Sequence, residues 1–548
     1  MNHTFEVTGH IVDPLERRIY DGTIVVTDGR ITTILPAEAV GDDAPFILPG
    51  FIDSHVHIES SMLLPENFAH IAVRHGTVAA IADPHEIANV LGIDGINFMI
   101  ENGSKVPFHF FFGAPSCVPC TNMETSGAVI GAEDIRMLLQ RDDIWFLGEM
   151  MNTPGVLFGD TEVLNKLAAA RETRKPIDGH APGLKDEELR KYAAEGIATD
   201  HECSSLAEEQ ARLDVGMKVL IREGSAAQNF DSLSPLLAYY ADDLMFCTDD
   251  MHPDDLTKGH INLMVRRAVA KGYPLWNVLR AACVTPVLHY RIPCGLLREG
   301  DSADFILVDN LTDFDVQATC IGGNLFNAYA LLPVSRSWTR SEWPNNFRAE
   351  PINANELRIE AEKNDLRVIM AFNGSLFTGQ MTAKAKVEDS NVVSDVENDV
   401  LKIVVLSRYA NSRPAIGFIK GFGLKRGALA STIAHDSHNI VAVGTSDEAI
   451  VAAINHVIDL QGGIVVEDGE ESDALPLPIA GLISPLSATD TAAAYARLTD
   501  RAHAIGCAFD APFMTLSFMA LPVIPKLKMT DKGLFDADLF RHISPFTP

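Results

Sequence analysis

Along the first fifty residues, apolar and polar side chains alternate from Phe5 to about Leu35, the period of half-buried β-strands. Val26-Thr27-Asp28-Gly29-Arg30-Ile31 sets an Asp-Gly pair between two such runs, the composition of a tight hairpin turn. A matching strand pattern returns at Ser302-Ala303-Asp304-Phe305-Ile306-Leu307-Val308-Asp309. Two strand-rich pieces on either side of a long central region predict a small β-sandwich domain assembled from both flanks. In the centre, short apolar runs alternate with helical stretches, as parallel α/β architectures require. Eight strands are predicted: Phe51–His57, Thr77–Ala82, Pro107–Gly113, Trp145–Met150, Pro176–His180, Gly196–His201, Lys218–Arg222 and Leu244–Thr248. Helices are predicted between them, among others over Asp134–Leu139, Thr161–Arg171, Lys185–Ala194 and Leu206–Asp214. Eight β/α units in a region of this size predict a TIM (β/α)8 barrel.

From about Arg348 the pattern changes. An acidic, polar stretch from Glu388 to Asp399 reads as a loop or edge. Leu401–Leu406 follows as a strand and Ser446–Leu460 as an amphipathic helix. The expected organisation is therefore 1–49 with 300–347 as the small β domain, 50–299 as the barrel and 348–548 as an additional C-terminal α/β domain. There is no internal repeat.

Barrel enzymes carry their chemistry where the strands end on the C-terminal side, so those ends are the places to read. Phe46-Ile47-Leu48-Pro49-Gly50-Phe51-Ile52 runs into Asp53-Ser54-His55-Val56-His57. Side chains two apart on a strand point the same way, so His55 and His57 can converge. The second end supplies Asp83-Pro84-His85-Glu86, the fourth Glu149, the fifth His180, the sixth His201 and the eighth Asp249-Asp250. Scattered surface residues would not fall at six of eight predicted strand ends. Histidines with carboxylates can hold two divalent ions when one carboxylate bridges them, and such a pair can share a hydroxide near neutral pH. In this reading His55, His57 and Asp249 hold one ion, His180 and His201 the other, and Glu149 bridges. Asp249 is also placed to act as general base, although Asp250 competes for both roles.

The order H-x-H, bridge, His, His, Asp resembles the amidohydrolase superfamily, and within it the bacterial adenine deaminases. The resemblance rests on Pro49 to Ser61, on Ala82-Asp83-Pro84-His85-Glu86-Ile87-Ala88-Asn89-Val90, on Asp178-Gly179-His180-Ala181-Pro182-Gly183 and on Cys247-Thr248-Asp249-Asp250-Met251-His252-Pro253-Asp254-Asp255. The stretch from Gly421-Phe422-Gly423-Leu424 to His435-Asp436-Ser437-His438-Asn439 is similar to that family's C-terminal domain. Many binuclear superfamily members bridge with a carboxylated lysine. Here Phe146-Leu147-Gly148-Glu149-Met150-Met151 offers only Glu149, as adenine deaminases do.

What the resemblance implies is hydrolysis of adenine to hypoxanthine and ammonia by a hydroxide bridging two metal ions, with Mn(II) or Fe(II) as the ions. The ligand types suit Zn(II) as well. It further implies Glu86 as the acid that protonates a ring nitrogen, which needs a raised carboxyl pKa. Asp83 and His85 would orient the purine or Glu86, His252 would border the pocket, and the chain would form a homodimer. The rival reading for Glu86 is a carboxylate stabilising the N-terminus of the Ile87–Leu91 helix. Rivals for the whole chain are a cyclic amidohydrolase of the dihydropyrimidine or hydantoin type, and a catalytically silent binding protein on the same fold.

Composition trims these choices. A net charge of −30 across 548 residues argues against nucleic acid or an anionic membrane surface as partner. A small purine remains compatible. No apolar run approaches about 18 residues, so no transmembrane helix is expected. The start Met1-Asn2-His3-Thr4-Phe5-Glu6 lacks a signal-peptide pattern. Eight scattered cysteines do not form a disulfide framework, which points to a cytoplasmic protein with reduced thiols.

Three further signals carry less. Cys117-Val118-Pro119-Cys120 is a lone C-x-x-C, read as two buried cysteines. It imitates the zinc deaminases, in which H-x-E precedes P-C-x-x-C. Pro115-Ser116-Cys117 inserts a residue and breaks that pattern. His435 and His438 are three apart and can share a helix face, either as structural residues or as a closure over the active site. The glycine-rich stretch near Gly421 lacks the ending of a phosphate loop.

Overall fold

The computed structural model describes residues 4–225, 227–327, 332–333, 339, 342–469 and 471–547. The predicted Asp-Gly turn is present. Asp28 and Gly29 both have positive φ (50° and 84°), as a two-residue hairpin between twisted strands requires, and Thr27 pairs with Arg30 across it. This hairpin belongs to one continuous seven-stranded sheet drawn from both ends of the central region. Its order is Asn324–Asn327, Val316–Ile321, Phe305–Val308, Phe46–Pro49, Thr4–Asp13, Arg18–Thr27, Arg30–Pro36.

The central region is α/β with a parallel, half-barrel sheet. Five strands run side by side: Phe51–Val56, Thr77–Ala82, His109–Ala114, Ile144–Met150 and Ile177–Gly179. A second parallel sheet holds Thr199–Asp200, Lys218–Arg222 and Leu244–Cys247. Ala198 N donates to Ile177 O at 2.9 Å between the two sheets. At the other side, Asp249 N donates to His55 O at 2.9 Å and His57 N to Asp249 O at 3.3 Å. Asp53 reinforces that seam from within: its carboxylate accepts from Thr248 N at 3.0 Å and Thr248 Oγ1 at 2.5 Å. These strands read as apolar runs in sequence because both faces are covered, and most of their residues are fully buried. Gly50 permits a close approach; a Cβ there would lie 2.2 Å from Val78 Cγ1.

The residues after 348 build an eight-stranded, mostly antiparallel sheet from Gly379–Lys384 to Ser472–Pro476. The helix Asp447–Leu460 is capped at its start by Ser446 Oγ, which accepts from Ala449 N at 3.2 Å. It lays Ile450, Ala453, Ile454 and Val457 on one face of that sheet. The acidic stretch contains a two-stranded ribbon, Lys386–Glu388 with Asn391–Val393. Near Gly421 the backbone amides of Gly421 and Gly423 are taken by the two oxygens of Asp399, each at 2.8 Å. Among the described residues no helix is long and apolar enough to cross a membrane.

Candidate active site

Of the residues read from the strand ends, His55, His57, Asp83, His85, Glu86, Glu149, His180, His201 and Asp249 are all buried, none more than 7% exposed, and Asp250 is half-buried. Glu149 ends the fourth strand and stands at the centre of four histidines. Its Oε1 lies 3.2 Å from His57 Nε2 and 3.9 Å from His55 Nε2. Its Oε2 lies 2.9 Å from His180 Nδ1 and 3.3 Å from His201 Nε2. One carboxylate therefore turns one oxygen to each histidine pair. Asp249 Oδ1 faces the first pair, 3.5 Å from His55 Nε2 and 3.1 Å from His57 Nε2. Asp249 has φ 54°, a left-handed conformation that costs a non-glycine residue on the order of 1 kcal/mol or more. The paired hydrogen bonds to the first strand hold it there. Asp250 also lines the central cavity, and its carboxylate accepts from Ser60 Oγ at 2.5 Å.

Two neighbours of this constellation escaped the strand-end reading. Glu202 follows His201 and sets Oε1 3.4 Å from His201 Nε2 and 3.6 Å from His180 Nδ1. Arg222, the last residue of the seventh strand, reaches Glu202 Oε1 at 2.5 Å and Asp249 Oδ2 at 2.6 Å. The sequence signals were there: an acid next to a predicted ligand, and a cation at a predicted strand end.

Burial alone would push these carboxyls up, and the surrounding cations reverse that. His180, His201 and His57 hold Glu149 well below the usual range. Arg222 and His201 do the same for Asp249. Glu202 is lowered by Arg222 and His180. Both ring nitrogens of His55, and His180 Nε2, are buried without a hydrogen-bond partner among the described residues. Unpartnered imidazole nitrogens facing ionised carboxylates form a donor set that suits divalent cations. His55, His57 and Asp249 bring ligand atoms within 4.8 Å of one another, as do His55, Glu149 and His201, and His180, His201 and Glu202.

The second strand end departs from expectation in two ways. Asp83 is absent from the lining of the central cavity. Its Oδ2 accepts from Glu149 N at 2.9 Å, and its carbonyl meets His57 Nδ1 at 2.9 Å. This approach needs Gly148, where a Cβ would lie 2.3 Å from Asp83 Oδ2. Asp83 thus braces the central residues, with its Oδ2 3.6 Å from His85 Nδ1. His85 does line the cavity, with Nδ1 3.6 Å from Glu149 Oε1 and Nε2 3.3 Å from Glu86 Oε1.

Glu86 also faces the cavity, clasped by two histidines from a distant part of the chain. His435 Nδ1 lies 2.6 Å from its Oε1, and His438 Nε2 contacts its Oε2. Burial would raise the Glu86 carboxyl, yet His435, His438 and His85 hold it well below its ordinary value. The expectation of a raised Glu86 fails because its partners lie some 350 residues away in sequence. The proton resides on His435 instead, where Glu86 and Asp250 overcome burial and lift the imidazole to about 9. Glu86 lies in the first turn of the His85–Leu91 helix, and Glu59 adds a second carboxylate there, its Oε1 accepting from Ile87 N at 3.1 Å. Leu376, Phe518 and Leu521 close the cavity from the C-terminal region, and Phe518 stacks on His435 at 4.9 Å. About 30 Å³ remains inside, room for about one water. His252 lies outside this cavity, its ring edge-on to Tyr495 at 4.5 Å.

Comparison with known proteins agrees in both halves of the chain. Residues 46–326 match the amidohydrolase family, and residues 375–541 match the adenine deaminase C-terminal domain. The adenine deaminase of Salinibacter ruber (strain DSM 13855 / M31) is 50% identical over 548 residues, 100% of both chains. That of Parabacteroides distasonis is 47% identical over 545 residues, covering 99% of each chain. That of Methanosarcina mazei is 47% identical over 553 residues, covering 98% of this chain and 99% of the relative. The chain that carries this buried histidine–carboxylate cluster at its parallel strand ends belongs to the adenine deaminase family of amidohydrolases.

Proposed function

We propose that this protein hydrolyses adenine to hypoxanthine and ammonia in the cluster around Glu149. The observation that carries the reading is the division of the Glu149 carboxylate between two histidine pairs, in a chain with full-length adenine deaminase relatives. His55, His57 and Asp249 would hold one divalent ion, His180 and His201 a second, and Glu149 both. Mn(II) or Fe(II) is the choice the family favours, and the donors also suit Zn(II). When bound, the two ions lower the pKa of a water so that it is nucleophilic near neutral pH.

The rest of the mechanism belongs to side chains. Attack at C6 makes a tetrahedral centre and requires a proton on a ring nitrogen. The Glu86–His435 pair supplies it, with the proton held on His435 before turnover and relayed through Glu86. Asp249 accepts a proton from the attacking water and passes it to the amino group, which leaves as ammonia. The proton left on the new oxygen restores the Glu86–His435 pair as the carbonyl forms. Arg222 keeps the far oxygen of Asp249 engaged, so Oδ1 remains turned to the reacting centre. His85 borders the purine, and Asp83 fixes the backbone of Glu149.

In this reading the eight parallel strands form a closed (β/α)8 barrel over residues 50–299. Residues 1–49 with 300–347 form the small β domain, and 348–548 the C-terminal α/β domain. A homodimer in the cytoplasm is the family-level assembly and location. The test is ammonia release by Mn(II)-loaded protein from adenine, with guanine, cytosine, adenosine and dihydrouracil as comparators. Turnover of adenine alone supports the reading. Dihydrouracil is followed instead by its ring opening to N-carbamoyl-β-alanine, which frees no ammonia; that ring opening without turnover of adenine would assign the site to cyclic amides.

A further inference from the structure

The mechanism leaves unused the motif Cys117-Val118-Pro119-Cys120. All eight cysteines are buried and unbridged, but they are not alike. Cys203, Cys247, Cys283, Cys294, Cys320 and Cys507 have thiols pushed up, chiefly by burial, as inert thiols should. Cys117 and Cys120 lie three residues apart on the loop after the third central strand. Both form part of the wall of an open cleft of about 660 Å³ that shares no residue with the catalytic cavity.

The surroundings of Cys117 favour a thiolate. Ser116 Oγ lies 3.2 Å from its sulfur. The Lys166 ammonium is close by, donating to Ser116 O at 2.8 Å and lining the same cleft. The neighbouring Cys120 and the Lys166 ammonium draw the Cys117 thiol below its ordinary value against burial, while Cys120 is pushed up. One sulfur is thus prepared as nucleophile, and the other waits beside it as a protonated thiol. Ser116 Oγ also donates to Glu149 O at 2.5 Å, so the loop is tied to the strand end that bears the central carboxylate.

We propose that Cys117 and Cys120 are a redox-active dithiol, oxidised to an internal disulfide by a hydroperoxide that enters through this cleft. The Cys117 thiolate attacks the terminal peroxide oxygen, the O–O bond breaks, and the alcohol or water leaves with the proton. Cys117 is then a sulfenic acid. The Cys120 thiol attacks that sulfur, the S–O bond breaks, water departs, and the disulfide forms. Two electrons pass from the dithiol to the peroxide, and a thiol reductant reverses the change.

The test uses reduced, full-length, Mn(II)-loaded protein and hydrogen peroxide as the probe, followed by alkylation, intact mass and peptide mapping. Two of the eight thiols should become unreactive to alkylation. The peptide spanning Cys117 and Cys120 should be two hydrogens lighter, and dithiothreitol should restore it. Cys120→Ala should instead stop one oxygen heavier at Cys117, in a form trapped by dimedone. Cys320→Ala should still lose the same two thiols. The proposal is overturned if all eight thiols stay alkylatable while surface methionines oxidise, or if the bridge that forms involves another cysteine.

Discussion

Glu149 governs how the histidines around it can be used, because each of its oxygens faces a different pair. Glu149→Gln keeps the shape but replaces one acceptor oxygen with a donor. Metal content should fall from two ions per chain, and turnover should drop by more than the roughly 100-fold typical of outer-shell losses. Metal analysis alongside the rate checks this, and full metal with full activity would remove Glu149 from the centre. Arg222→Met should act less directly. It frees Asp249 and Glu202 from their shared cation and should weaken metal affinity about 10–100-fold, read by titration with Mn(II). Glu86→Gln should retain both ions and lower kcat about 10²–10⁴-fold, the usual worth of a proton-transfer group; an unchanged rate would end its role. The six candidate ligands were legible because a strand end is a position that sequence can specify. The role of Asp83 was not, since its partner is a backbone amide on another strand. Nor was the charge on Glu86, which depends on histidines that no local pattern connects to it.

Among the elements, long buried runs were the easiest to read. Thr77–Ala82 and Lys218–Arg222 have the bounds expected of them. The sixth strand shrinks to Thr199–Asp200, because Asp200 turns aside to bind the buried Arg212 at 2.8 Å and to cap the amides of Ala181 and Glu202. The loops that close the cavity were not legible, and one buried cation organises them. Lys528 Nζ donates to Leu376 O at 2.7 Å and to Phe518 O at 2.8 Å, so one ammonium ties two walls of the cavity. Burial lowers this lysine from its usual 10.5 to about 7. Between about pH 7 and 10.5 the unfolded chain therefore binds a proton that the folded chain does not. Stability gains from this group as pH rises through that window, and the penalty for burying the charge is fully present below it. Relative to Lys528→Met, the wild-type unfolding free energy should rise by up to about 1.4 kcal/mol per pH unit above pH 7. Parallel thermal melts from pH 6.5 to 9 read this; melting differences that do not change with pH would show that Lys528 keeps its ordinary pKa.

At the scale of the molecule, the site is assembled from segments far apart in the chain. Leu376, His435, Asp436, Phe518 and Leu521 reach a cavity whose other walls come from residues 57–250. The flanking strands join one sheet because Phe305–Val308 pairs with Phe46–Pro49; the sequence pattern suggested only that both flanks contribute strands. The sequence offered His435 and His438 as structural residues or as a closure over the active site; that both meet Glu86 follows from packing and not from periodicity. His435→Gln should leave the metal complement intact and shift the acidic or basic limb of the kcat–pH profile. An unaltered profile would remove His435 from proton transfer. The account stands or falls on two ions serving one reaction. Metal-stripped protein titrated with Mn(II), with ammonia release from adenine measured at each addition, tests that directly. Activity that climbs to a plateau at two ions per chain is the predicted result. A plateau at one ion, activity without metal, or no ammonia with both ions bound would contradict it.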